Sequence, residues 1–270
     1  MQLSGSRVLL TGAAGGIGRC VALELAARGA VTALVDRRAE DIAPIVEQVE
    51  LAGGTAVAIE HDLSDTASLG ALAERAEALL GGVDVLINNA GLLSFTPVES
   101  ESAASVDLLY RVNVIAPVVL CGEMVRRFKS QGRGRIVNVG SIFGSIGFAH
   151  FATYSSSKFA IRGYSEALRR ELDGTGIGVT YVAPRATRTR LANVFGRMAD
   201  AVGMTMDEPS DVAARIVQAI EKDRRDRYLG QPESTFVRVN ALLPRLVDAA
   251  TRKQNRAARP YAVEAAEEAR

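Results

Sequence analysis

The first thirty residues constrain the fold more than any other part of the chain. Val8-Leu9-Leu10 is a continuous apolar run, typical of a strand buried on both faces of a parallel sheet. A glycine-rich turn (11–18) and an alanine-rich helical pattern (19–28) follow it. This order brings backbone N–H groups and a helix N-terminus up to a pyrophosphate, and glycine leaves no Cβ in the way. The unit predicts dinucleotide contacts from Gly12, Gly15, Gly16, Ile17 and Gly18.

The same alternation of apolar runs and helical patterns continues along most of the chain. It predicts an α/β fold, a single-domain Rossmann-type doubly wound parallel sheet of about seven strands with helices on both faces. We expect a catalytic domain over 1–230 and a helical extension over 231–270. The predicted strands after the first are 31–35, 55–60, 83–87, 135–139, 179–183 and 227–229, and the predicted helices between them include 39–51, 66–80, 102–129 and one that begins near 153.

Composition narrows the class of protein. With 48% hydrophobic and 23% charged residues and a net charge of +1, the chain is typical of soluble globular proteins and shows no sign of nucleic-acid binding. Cys20 and Cys121 are far apart and read as buried thiols of a reducing compartment, and His61 and His150 are too scattered for a metal site. The first strand begins almost at Met1, and no run of 18 uncharged apolar residues occurs. We therefore expect a cytoplasmic protein without a membrane span.

Polar residues follow the predicted strands, and the carboxyl ends of parallel strands line the ligand crevice of such sheets. Asp36 ends the second strand, where a carboxylate accepts hydrogen bonds from both ribose hydroxyls and repels a 2′-phosphate, so NAD is favoured. Arg37 and Arg38 could instead hold a 2′-phosphate, so NADP stays open. The other contacts predicted at strand ends are Asp62 and Leu63 near the adenine, and Asn88, Ala90 and Gly91 in the turn after the fourth strand.

Four residues could carry chemistry. Tyr154 and Lys158 are four apart, so on a helix they face the same way, and the ammonium would lower the pKa of the phenol. Ser141, at the end of the fifth strand, could hold the oxygen that is protonated. Asn113 lies in an apolar helical pattern and needs a buried partner. Taken alone, a Tyr and a Lys at this spacing are usually surface or half-buried residues of a helix.

Taken in order over about residues 5 to 230, these motifs resemble the short-chain dehydrogenase/reductase family, in which Ser141 precedes Tyr154 by the usual thirteen residues. The resemblance implies hydride transfer between a nicotinamide and a carbinol or carbonyl carbon. Tyr154 would be the general acid/base, Lys158 would hold the nicotinamide ribose, and Ser141 would hold the substrate oxygen. It further implies a relay water at Asn113, carboxamide contacts from the segment with Pro184, Thr187 and Thr189, and a homodimer or homotetramer packed through the two long helices.

The chain departs from the family pattern in two places. Arg185 stands where the family usually has glycine, which would put a guanidinium at the rim of the nicotinamide site. The chain also runs some forty residues past the seventh strand, and this extension could block or remodel the expected subunit interface.

The segments expected to line the substrate pocket are 92–95, 142–148 and 191–206. They are mostly apolar, which favours a lipophilic alcohol or ketone such as a steroid, a retinoid or an acyl derivative. Arg185, Arg188 and Arg190 offer a competing hypothesis, an acidic or carrier-linked substrate. Two other classes of protein remain open: a dinucleotide-binding sensor without turnover, and an epimerase or dehydratase with tightly held NAD.

The extension is basic and amphipathic. Residues 222–259 contain ten basic and four acidic side chains. The apolar residues from Phe236 to Val247 fall near helical spacing, and Pro244 should kink or restart the helix. Such a helix can lie on an anionic membrane surface, but packing on its own domain or on a second subunit is the favoured interpretation. We expect residues 262–270 to be frayed.

Overall fold

The computed structural model describes residues 1–189 and 193–268. Seven parallel strands form one sheet in the order β3-β2-β1-β4-β5-β6-β7. The order reverses between β1 and β4, so the predicted doubly wound parallel sheet is confirmed. The strands are β1 (Arg7–Thr11), β2 (Val31–Asp36), β3 (Thr55–Glu60), β4 (Val85–Asn88), β5 (Gly134–Val139), β6 (Ile177–Ala183) and β7 (Asp226–Tyr228).

Helices cover both faces of the sheet because its strands are apolar on both sides. One core joins the sheet to α1, α2 and α8, and the other joins it to α3, α5 and α6. In the described residues the helices are α1 (Gly16–Ala26), α2 (Ala39–Leu51), α3 (Leu69–Leu80), α4 (Ala103–Tyr110), α5 (Ala116–Gln131), α6 (Ala152–Glu171), α7 (Asn193–Ala201), α8 (Pro209–Glu221), α9 (Glu233–Leu242) and α10 (Pro244–Glu268).

The long helical pattern predicted at 102–129 forms α4 and α5, joined by a π-helical stretch, Arg111–Ile115. An 18-residue window within Ala103–Gln131 has a mean hydropathy of 1.6, enough in length and composition to cross a membrane, although charged residues interrupt every long apolar run in it. The core helix of a soluble protein has the same composition. Leu120, Met124 and Phe128 of this helix are fully buried between the sheet and its neighbours.

The extension is ordered and packs on the rest of the chain. Pro244 restarts the helix as predicted, because α9 ends at Leu242 and α10 begins at Pro244. The predicted fraying from residue 262 is wrong as far as Glu268. Ala258 and Ala262 are fully buried in a cluster with Val194 and Met198 of α7, so small residues let α10 lie close to that helix.

Candidate active site

The carboxyl ends of β1, β4, β5 and β6 open into one cavity of about 890 Å³. The glycine turn forms one end of it, and the extension helices form part of the other end. Nearly all of the predicted site residues line this cavity: Gly12, Gly15, Gly16, Ile17, Gly18, Asp36, Asp62, Leu63, Ala90, Gly91, Ser141, Tyr154, Lys158, Pro184, Thr187 and Thr189.

The glycine turn forms a floor on which a side chain could not fit. Gly12 has φ +67°, and a Cβ there would lie 2.6 Å from Ala90 Cα. A Cβ on Gly18 would lie 2.0 Å from the carbonyl oxygen of Gly12, and one on Gly16 would lie 2.9 Å from Thr189 Cγ2. The turn therefore depends on glycine for close packing, and its bare backbone faces the cavity.

Carboxylates define the adenosine end. Asp36 accepts hydrogen bonds from the backbone N–H groups of Ala14 and Arg37, each at 2.8 Å, which fixes its carboxylate beside the glycine turn. Hydrogen bonds from Ser64 hold the pKa of Asp62 below its ordinary value, and the charge of Arg37 adds to this effect. Arg38 is instead held by Asp41 in the first turn of α2.

Asn88, predicted to contact the cofactor, turns its side chain away from the cavity. Its Nδ2 donates to Asn138 Oδ1 at 2.9 Å and to Cys121 Sγ at 3.3 Å in the buried layer under α5. The neighbouring Asn89 lines the cavity, and its Nδ2 donates to the carbonyl oxygens of Thr11 and Gly12. Successive side chains alternate at a strand end, so Asn89 braces the glycine turn while Asn88 joins the core.

Ser141, Tyr154 and Lys158 come together in the middle of the cavity. Helix α6 places Tyr154 and Lys158 on one face, with Lys158 Nζ 5.8 Å from the centroid of the Tyr154 ring. Lys158 is buried and donates to the carbonyl oxygen of Val139 at 3.2 Å. Ser141 Oγ accepts the N–H of Phe143 at 3.1 Å, which leaves its own proton available to donate into the cavity.

The protonation pattern differs from the sequence-based expectation. Burial raises the pKa of Tyr154, and a hydrogen bond with Ser141 only partly opposes it, so the expected lowering by Lys158 is wrong for the protein alone. Burial also lowers the pKa of Lys158 to about 8. At neutral pH the phenol is therefore neutral, the form that donates a proton.

Asn113 lies behind the cavity wall, in the π-helical stretch between α4 and α5. Its Oδ1 accepts the N–H of Leu92 at 2.7 Å, and its Nδ2 donates to the carbonyl oxygen of Leu92 and to Ser157 Oγ. The amide therefore finds the buried partners that the apolar helix required, and it ties the loop after β4 to α6. Single π-helical turns inside α-helices are frequently found at functional sites. The relay water stays a prediction.

Phe143, Phe148 and Phe195 line the substrate end of the cavity, and Phe95 and Phe151 pack behind them. Phe95 stacks on Phe151 at 4.6 Å between ring centroids, and Phe143 stacks on Phe148 at 5.4 Å. The predicted segments 92–95, 142–148 and 193–206 contribute to this end, while Leu191 and Ala192 lie outside the described residues. The remaining wall comes from the extension and was missed by the sequence analysis: Phe236, Val247, Ala250, Thr251 and Gln254.

Arg185 lines the cavity, yet its charge is already neutralised. Its guanidinium contacts Asp207 Oδ1 at 2.6 Å and Glu233 Oε2 at 3.1 Å and donates to the carbonyl oxygen of Gln231. The guanidinium therefore lies at the cavity, as the sequence predicted, but two carboxylates already hold it. Arg188 pairs with Glu208 at 3.3 Å, and Arg190 lies outside the described residues.

Two positioning residues had no clear signal in the sequence. Tyr181, fully buried on β6, donates to the carbonyl oxygen of Ser141 at 3.2 Å. A Cβ on Gly140 would clash with its ring, which explains the glycine before Ser141. Glu101 accepts hydrogen bonds from Ser94 and Thr153 and so joins the loop after β4 to the first turn of α6.

The groups that line the cavity fit a bound dinucleotide. Thr189 Oγ1 is buried, lines the cavity beside Gly16, and has no hydrogen-bond partner among the described residues. A buried hydroxyl without a partner is costly unless a ligand satisfies it. The bare glycine floor, the fixed Asp36 carboxylate and this hydroxyl lie where a pyrophosphate, a ribose and a carboxamide would need them.

The fold and the site together define a dinucleotide-dependent oxidoreductase of the doubly wound class. A family model described as short chain dehydrogenase matches residues 6–200, and the chain belongs to that family. The ketoacyl reductase HetN of Nostoc sp. is 33% identical over 229 residues, which cover 85% of this chain and 80% of that protein.

Solved structures agree. A short chain dehydrogenase from Burkholderia cenocepacia J2315, in complex with NADP, has a TM-score of 0.80 at 30% identity and covers 87% of this chain and 100% of its own. A short chain dehydrogenase/reductase from Burkholderia phymatum, in complex with NAD, has a TM-score of 0.83 at 24% identity, with 92% and 96% covered. At that lower identity the second likeness supports the fold alone.

Proposed function

We propose that this protein transfers a hydride between a nicotinamide dinucleotide, NAD in preference to NADP, and a lipophilic secondary alcohol or ketone. One observation carries the proposal: Ser141, Tyr154 and Lys158 lie in a single cavity between a glycine cradle and an aromatic pocket. A family member that is 30% identical to this chain is solved in complex with NADP, which supports a nicotinamide dinucleotide here.

The nicotinamide supplies or accepts the hydride when bound, and the chain supplies position and proton transfer. Ser141 donates its proton to the substrate oxygen and holds that oxygen beside the Tyr154 phenol. In the reducing direction the neutral phenol donates its proton to that oxygen. In the oxidising direction it must accept one, and the nearby Lys158 ammonium stabilises the phenolate that this requires.

The preference for NAD rests on Asp36. Two backbone N–H groups hold its carboxylate at the adenosine end, where a 2′-phosphate would meet a fixed negative charge. Arg38 is engaged by Asp41 and Glu40, which leaves Arg37 as the nearer candidate to neutralise a phosphate.

The preference for a lipophilic substrate rests on the aromatic walls. Phe143, Phe148 and Phe195 line the space beyond Tyr154, Phe95 packs behind them, and few polar groups face this space. Apolar pockets with a small number of polar groups select hydrophobic ligands and orient them through those groups. Thr251 and Gln254 of α10 supply polar atoms at the far wall.

An acidic or carrier-linked acyl substrate is the second candidate. The likeness to the ketoacyl reductase HetN favours it. Against it, the two described arginines that suggested an anion site are occupied, Arg185 by Asp207 and Glu233, and Arg188 by Glu208.

We further propose a cytoplasmic homodimer or homotetramer packed through α5, α6 and the segment before α5. Apolar side chains remain exposed on this side, among them Ile115 and Phe159. Burying them in a subunit interface would account for the high hydropathy of Ala103–Gln131.

A substrate panel tests the proposed function. Purified protein is assayed with NAD(H) and NADP(H) against aliphatic alcohols and ketones of increasing chain length, steroids, retinoids, polyols and carrier-linked ketoacyl chains. We expect turnover that improves with apolar size and is faster with NAD(H). Cofactor binding without turnover of any compound would favour a sensor. Cofactor that copurifies at full occupancy and gives no net redox change would favour an epimerase or dehydratase.

A further inference from the structure

The corner between α9 and α10 exposes a cluster of large apolar side chains. Leu242, Leu243 and Leu246 are 81%, 56% and 58% exposed. The corner is not a loose tail, because the N–H of Leu243 donates to Val239 and the N–H of Leu246 donates to Leu243. Its backbone therefore holds three leucines out into solvent, the kind of apolar patch that marks an interaction surface. We call these three residues the leucine corner.

Cations surround the leucine corner and continue along the outer face of α10. All six are exposed, and none forms an ion pair within the described residues: Arg238, Arg245, Arg252, Lys253, Arg256 and Arg259. Asp248 is the acidic residue among them. The opposite face of α10 packs on the domain through Val247, Ala258 and Ala262. The apolar face of α10 is thus buried against the domain, and the basic face is exposed to solvent.

We infer that the leucine corner and the basic face of α10 dock the protein on an anionic lipid surface. A helix with an apolar edge and a lysine- and arginine-rich face binds such surfaces by inserting its apolar residues and attracting acidic headgroups. A partner that complements this surface must offer both an apolar interior for the leucines and a high density of negative charge for the cations. A bilayer with anionic lipids offers both.

The leucine corner lies next to the wall of the substrate cavity, which connects the docking to substrate access. Val247, the neighbour of Leu246, lines the substrate cavity, and so does Phe236, which is itself partly exposed. The cavity wall and the leucine corner are therefore parts of the same two helices. Docking through this corner brings the apolar end of the cavity to the membrane, where a lipophilic substrate would be concentrated. The docking itself does not depend on the proposed reaction.

Vesicle flotation tests the inference with the full chain. We expect the wild type to float with phosphatidylcholine vesicles that contain phosphatidylglycerol, to float poorly with pure phosphatidylcholine, and to be released by salt. Replacing Leu242, Leu243 and Leu246 together by serine should weaken the binding at least tenfold. Replacing Arg252, Lys253 and Arg256 together by glutamine should do the same.

Matched variants control for general effects of charge and hydrophobicity. Leu51→Ser removes a leucine that is 82% exposed at the end of α2, and a triple change of Arg75, Lys129 and Arg133 to glutamine removes three exposed cations elsewhere. Both should float like the wild type. Thermal unfolding followed by circular dichroism shows that each variant is folded, and a corner variant that fails to fold is replaced by Leu242→Ser alone.

Three results would overturn the inference. The first is that the wild type does not float with anionic vesicles, or floats equally with neutral ones. The control variants lose binding as much as the corner variants. Finally, sedimentation without vesicles shows a dimer that the triple serine variant breaks, which would assign the corner to a second copy of the chain. Substrate turnover is not needed for any of these readouts, so failure here is separate from failure of the proposed function.

Discussion

Arg185 Nη2 lies 2.6 Å from Asp207 Oδ1, and the side chains are only 14% and 13% exposed. The same guanidinium reaches Glu233 at the start of α9. The residue that departs from the family pattern thus links the end of β6, the segment before α8 and the extension. Its role is to hold the extension in place at the cavity wall.

Removal of this guanidinium should destabilise the protein. Arg185→Met leaves Asp207 and Glu233 without their cation, and we expect a loss of about 2 kcal/mol in the free energy of unfolding, less than for a fully buried pair because Glu233 is partly exposed. Urea denaturation measures it. Arg188→Met, which breaks an exposed pair with Glu208, is the matched control and should cost less than about 0.5 kcal/mol. Equal losses in the two variants would contradict the role of Arg185.

The buried ammonium of Lys158, which the proposed function requires, should lower the free energy of unfolding. Burial lowers its pKa from 10.5 to about 8, so the folded protein binds the proton less tightly than the unfolded chain does. The penalty is fully present below pH 8 and is relieved as the pH rises from 8 to 10.5. Lys158→Met should therefore be more stable than the wild type at pH 7, by up to about 3 kcal/mol.

The pH dependence distinguishes this effect from a simple gain in packing. The stability difference between Lys158→Met and the wild type should shrink between pH 8 and pH 10, while turnover is lost at every pH. Urea midpoints at several pH values measure it. Lys129→Met, at an exposed lysine, is the matched control for the loss of a lysine at the surface. A Lys158→Met variant that is less stable than the wild type at pH 7 would count against the buried charge.

Asp36 should set the cofactor preference. Asp36→Asn keeps the size of the side chain and an oxygen for the N–H of Ala14 or Arg37, but it removes the charge that opposes a 2′-phosphate. We expect the ratio of kcat/KM for NAD over NADP to fall at least tenfold, about 1.4 kcal/mol. Asp65→Asn, in the exposed turn after β3, is the control and should leave the ratio unchanged. No change in the Asp36 variant would remove the basis for the NAD preference.

The extension should limit the size of the substrate. Ala250 of α10 faces the cavity, and Ala257 of the same helix faces solvent. Ala250→Phe should lower kcat/KM for long-chain substrates roughly tenfold relative to short ones, because the ring fills part of the pocket. Ala257→Phe carries the same added volume on the outer face and should leave the ratio unchanged. A chain-length profile measures both.

Much of the fold could be predicted because local and global signals agree in it. The apolar side chains on both faces of β1 and β2 can be buried only between two layers of helices. Glycine marks the tight turn after β1. Pro244 predicts the break between α9 and α10 for a local reason, since proline cannot continue the preceding helix.

The rest depends on contacts that no local pattern specifies. The amphipathic pattern of α10 shows which face is apolar, but it does not show that this face meets α7 and the substrate cavity. Side chains alternate between the two faces of a strand, so a shift of one residue decides whether Asn88 faces the core or the cavity. The charge of Arg185 is cancelled by Asp207 and Glu233, which lie 22 and 48 residues away. The pKa of Tyr154 is raised because the phenol is buried, and burial is a property of the whole fold.

The most direct test of the proposed chemistry is single-turnover hydride transfer by Tyr154→Phe with the best substrate from the panel. We expect the rate to fall by about 10²- to 10⁴-fold, the usual contribution of a general acid, while NADH binding measured by fluorescence is unchanged. Tyr110→Phe, which removes a phenol that donates to Ser156 outside the cavity, should keep the wild-type rate. Wild-type transfer by Tyr154→Phe would contradict the assignment of the proton to this phenol.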